Sequence, residues 1–93
     1  MDNLYKRLKD FDESLKEFKA ETYPSWQTAQ IFNVLLAGAK EKQPNDPVVM
    51  AMSPAEEGKR GQGVLSKPIS NTDVGTMRAV VKQLTGVVQA AAR

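Results

Sequence analysis

The sequence predicts an all-α fold, and three observations predict it. Apolar residues recur at helical spacing in three separate stretches, near 2–22, 25–42 and 71–92. All five prolines, at 24, 44, 47, 54 and 68, fall outside those stretches, where a helix interior would not tolerate them. Ser70 and Asp73 stand in the S-x-x-D order of a capping box just ahead of the last stretch. The expected architecture is a small bundle of three main helices in one domain spanning 1–93. An irregular 44–70 segment holds one further short helix.

In the first helix, Leu4, Leu8, Phe11, Leu15 and Phe18 step by four, three, four and three residues, a narrow heptad-like seam. Charged residues fill the other faces, which suits packing within the chain and leaves a seam with a second chain as the sharper alternative. Tyr23-Pro24 ends this helix, because proline disfavours the α region for its predecessor. A tight antiparallel hairpin into the second helix is expected, with Trp26 folded over the junction.

The second helix, Ser25 to Lys42, is expected to be the central and most buried one. At about 100° per residue, Ile31, Phe32, Val34, Leu35, Leu36, Gly38 and Ala39 cover an arc of roughly 200°. So wide an apolar arc calls for neighbours on two sides. Asn33 lies with Gln30, Lys40 and Glu41 on the remaining side, where truncation is expected to matter little.

Pro44-Asn45-Asp46-Pro47 stops that helix. Val48 to Met52 then reads as a short strand or an extended plug, with Val64–Leu65 as a conceivable pairing partner. Ser53-Pro54-Ala55-Glu56 carries the signature of a helix start, with Ser53 as N-cap. Ser70 is expected to cap the last helix, with Ile69 and Val74 as a hydrophobic staple. Val74, Met77, Val80, Val81, Leu84, Val87, Val88 and Ala91 then repeat at helical spacing.

Composition narrows the function. The chain has no cysteine and no histidine. That removes thiolate metal sites, disulfides, the commonest zinc ligand and the commonest general base. Its carboxylates lie mainly on the outer faces of the first helix, and its serines at 53 and 70 are better used as caps than in a Ser-Lys pair. No catalytic, metal or cofactor site is expected. The net charge of +2 is too small to argue a polyanion partner by itself. No run is long enough for a membrane span and the polar N-terminus is no signal peptide, so a cytoplasmic setting without membrane contact is expected.

Two surfaces remain as candidates. Gly75, Ala79, Lys82, Gly86 and Ala90 gather on one side of the last helix, away from its apolar stripe. Interior glycine costs a helix about 1 kcal/mol relative to alanine. Two on one face suggest close approach by a protein partner or a second copy. The leading expectation is therefore a small non-enzymatic interaction or oligomerisation module, an accessory or regulatory subunit. The alternative is nucleic-acid binding through Lys59 and Arg60 in a glycine-rich loop, together with Arg78 and Lys82. That loop, Lys59 to Gly63, matches neither nucleotide-binding glycine fingerprint and is expected to be a mobile surface loop.

Overall fold

The computed structural model describes residues 3–58 and 69–91. It is an all-α bundle in element order α1 (Leu4–Leu15), α2 (Trp26–Lys42), α3 (Pro47–Ala51), β1 (Glu57–Gly58), β2 (Ile69–Ser70) and α4 (Val74–Ala91). The 59–63 loop and the 64–65 pairing segment lie outside the described residues.

In α1 the heptad-like seam is the buried face: Leu4, Leu8, Phe11 and Leu15 are its buried residues. The helix stops at Leu15, seven residues short of the expected end at 22. Phe18, the last member of the seam, is 48 % exposed. Pro24 explains part of this. In a continued helix the Ala20 carbonyl would accept from the amide of residue 24, which proline lacks. The carbonyls of Ala20 and Thr22 instead accept the Gly75 and Val74 amides, both at 2.8 Å. The expected tight hairpin is thus a longer strap, residues 16–25, whose backbone satisfies the first amides of α4.

Ser25 caps α2 as its residue type suggests. Its Oγ accepts from the Thr28 amide at 3.3 Å. Trp26 is half-buried and packs against the core. Ala29, Phe32, Leu35, Leu36 and Ala39 form the buried face. The Phe32 and Phe11 rings meet at a centroid distance of 6.4 Å. The helix has neighbours on more than one side, but they do not cover the whole apolar arc: Ile31 and Val34 are 51 % and 56 % exposed. The most extensive helix contact is between α1 and α4, while α2 packs against α1, α4, α3 and β2.

The short helix also lies elsewhere than expected. It is α3, begun by Asp46, whose Oδ1 accepts from the Val48 and Val49 amides at 2.9 and 3.2 Å. Pro47 sits in its first turn. Val49 is fully buried. The Ser53-Pro54 signature forms no helix; the Asn33 side chain instead takes up both backbone polar groups of Ala55. The Asn33 side chain accepts from the Ala55 amide at 2.7 Å and donates to its carbonyl at 2.9 Å. Asn33 is therefore a brace, contrary to the expectation that it is dispensable.

A two-residue antiparallel ribbon follows, pairing Glu57 with Ser70 and Gly58 with Ile69. Ser25 adds a bridge to Ile69, and the Ser70 amide donates to the Pro24 carbonyl at 2.8 Å. Ser70 is therefore a buried ribbon residue and not the cap of α4. Its hydroxyl accepts from the Thr72 amide. The last helix begins at Val74 rather than 71, so Ile69 and Val74 do not form the expected staple. Asp73 precedes its first residue, and its side chain accepts from the Thr76 hydroxyl. Val74, Met77, Val81, Leu84 and Val88 are the buried stripe.

Candidate interaction surface

The five residues singled out on the last helix divide into two groups. Gly75 is already approached closely by the chain itself. A β-carbon there would meet the Cβ and the carbonyl oxygen of Ala20, each at 3.2 Å. This is the close approach that a glycine in a helix hints at, and its partner is the 16–25 strap. Gly86 has nothing within 4 Å of an added β-carbon. Ala79, Lys82, Gly86 and Ala90 are all exposed.

Two of the four cations of the nucleic-acid alternative can be placed. Lys59 and Arg60 lie outside the described residues. Arg78 is half-buried and its Nε donates to Asp12 Oδ1 at 3.1 Å, an ion pair that ties α4 to α1. A phosphate would have to compete with that carboxylate. Lys82 is exposed.

On α2, Ile31 and Val34 stand half-exposed where the width of the apolar arc predicts burial. On the α2 wheel, Ile31 and Val34 are about 60° apart, and Gly38 falls between them. Behind them runs a shallow groove between α1 and α2. One part, of about 300 Å³, is lined by Arg7, Asp10, Phe11, Ile31 and Leu35. A second, of about 380 Å³, adjoins it through Arg7 and is lined also by Asn3, Leu4, Gly38, Glu41 and Lys42. Gly38 shapes this end, since a β-carbon there would touch Leu4 Cδ1 at 3.4 Å. The groove floor is thus partly core, from Leu4, Phe11 and Leu35, and its rim carries charge.

A signal for this surface was present in the sequence, in the width of the apolar arc of α2. The neighbouring helices cover only part of that arc. Further large apolar residues are exposed away from the groove: Phe18 and Tyr23 in the strap, Val48 and Met50 on α3.

Among the described residues no group of three or more acidic side chains is placed to hold a metal ion. No described helix is long and apolar enough to cross a membrane. Comparisons with protein-family models, with curated proteins and with solved structures return no match. The class that can be stated is therefore that of the fold, a small all-α bundle.

Proposed function

We propose that this chain is a small non-enzymatic protein–protein interaction or oligomerisation module, an accessory or regulatory subunit acting through the α1–α2 groove and the outer face of α2. The observation that carries this reading is the half-exposure of Ile31 and Val34 in mid-helix, 51 % and 56 %, beside a groove floored by Phe11 and Leu35. A branched aliphatic side chain left in water forgoes on the order of 1 kcal/mol that burial would return. Two of them side by side over an apolar groove suit a contact surface better than a solvated helix face.

The exposed side of α4, Ala79, Lys82, Gly86 and Ala90, is a weaker contact candidate, because its side chains offer little apolar area. A cytoplasmic location goes with this reading, since a chain without cysteine has no disulfide to form. The test is a photo-crosslinking residue placed at Val34, with a second at Gly86, in the cells that make the protein. A defined adduct is expected from the Val34 position and a weaker one or none from Gly86. No adduct at Val34 overturns the proposal.

A further inference from the structure

We infer that the occupant of the α1–α2 surface is a second copy of the same chain, docked about a two-fold axis that passes close to Val34; the inference rests on the reading of that surface as a contact site. The argument is charge complementarity. Arg7 and Asp10 both line the groove, one turn apart on α1. Neither takes part in an ion pair among the described residues, whereas Asp12 is taken by Arg78 and Glu13 by Lys16. Both are exposed. A two-fold axis reverses the direction of α1 in the second copy, so Arg7 of one copy comes opposite Asp10 of the other, and the reverse contact forms at the same time. A cation and an anion side by side give the groove rim no preference for a uniformly acidic or basic partner. They match their own reversed image.

The remaining geometry agrees. The same axis runs the two α2 helices antiparallel, with Ile31 of each near Val34 of the other and the helix dipoles opposed, which is the favourable sense. Gly38, beside them on the wheel, adds no side chain to this face. The seventeen residues of α2 give it a length of roughly 25 Å. With α1 alongside, the platform is on the order of 500 Å² in projection, at the small end of specific interfaces. The core of each copy is complete without this contact, so the dimer is expected to be concentration-dependent and the monomer folded.

Sedimentation equilibrium on Arg7→Asp, Asp10→Arg and Val34→Glu tests the inference. Wild type should show a reversible monomer–dimer equilibrium. Each charge reversal creates two like-charge contacts across the axis and should weaken the dimer about tenfold or more. An equimolar mixture of Arg7→Asp and Asp10→Arg should restore dimer, because the heterodimer alone has both contacts attractive. Val34→Glu should be monomeric with an unchanged circular dichroism spectrum. A wild type that stays monomeric at every concentration overturns the inference, as does a mixture that associates no better than its components. The photo-crosslink at Val34 separates the two levels. An adduct with a different protein, from a monomeric wild type, removes the second copy and keeps the contact surface; no adduct of any kind removes both.

Discussion

The two flanks of α1 are finished differently. On the α4 side the chain closes its own surface. Leu8 and Leu84 are fully buried, Asp12 meets Arg78 at 3.1 Å, and the strap seals the start of α4 by hydrogen bonds from the Gly75 and Val74 amides. On the α2 side the groove between the helices is shallow, with Arg7 and Asp10 at its rim and Ile31 and Val34 in solvent. The same helix thus contributes to a sealed contact and to an unsealed one. The sealed flank reads as fold, where side chains answer to each other. On the unsealed flank, Ile31 and Val34 stand half-exposed, and Arg7 and Asp10 form no ion pair among the described residues.

The largest expected effect comes from breaking the sealed flank. Leu84→Ala, or Leu8→Ala, removes a fully buried side chain and should cost about 2–5 kcal/mol. Val34→Ala on the unsealed flank should change stability by less than about 0.5 kcal/mol. Urea denaturation of dilute, monomeric protein measures both. Similar midpoints for the two variants would erase the distinction.

Asn33 sharpens the comparison across α2 itself, since it sits on the side of that helix away from Ile31. Asn33→Ala strands the amide and carbonyl of Ala55, itself only 4 % exposed. A loss of roughly 1–3 kcal/mol is expected, the cost of leaving such groups unsatisfied. Amide hydrogen exchange at Ala55 should accelerate in parallel. An unchanged exchange rate would show that the Asn33 side chain does not protect that amide.

Charge gives a smaller effect with the same asymmetry. Arg78→Ala should lose about 1 kcal/mol, since its ion pair is only partly screened by solvent. Arg7→Ala should leave monomer stability nearly unchanged. Thermal melts at low and high salt check this, and the gap between the two variants should shrink as salt rises. Equal losses at low salt would mean that the Asp12–Arg78 pair does nothing to join α1 to α4.

Much of the fold was legible because local signals and tertiary packing agree there. The α1 seam from Leu4 to Leu15 and the α4 stripe lie where spacing puts them. The sequence reading failed where two local signals competed or a distant group intervened. Asp46-Pro47 and Ser53-Pro54 both resemble helix starts. Only the first becomes one; at the second the side chain of Asn33, 22 residues away, takes up the amide and carbonyl of Ala55. The spacing continues the seam to Phe18, whereas the backbone beyond Leu15 serves the first amides of α4. At the candidate surface the excess width of the α2 arc was visible. An apolar arc alone does not say how much of its width the rest of the chain covers.

The smallest effect is also the most diagnostic, because it has opposite signs at two glycines of one helix. Alanine is favoured over glycine in a helix interior and restricts the unfolded chain, which together should stabilise Gly86→Ala by about 0.4–1 kcal/mol. Nothing lies within 4 Å to oppose the new methyl group. At Gly75 the same gain is available, but the methyl group would sit 3.2 Å from the Ala20 carbonyl oxygen and Cβ. That oxygen cannot retreat freely, since it accepts the Gly75 amide at 2.8 Å, and the adjacent Thr22 carbonyl is tied to the Val74 amide. Relief would stretch both bonds and lift the strap from α4. Gly75→Ala is therefore expected to lower stability by about 0.5–1 kcal/mol despite its better helix propensity. Paired thermal melts decide the matter. If both variants are stabilised, the strap yields easily and the α4 flank is less firmly sealed than its geometry implies. If both are destabilised, the outer face of α4 is covered in solution after all, and Gly86 rejoins Gly75 as a site of close approach.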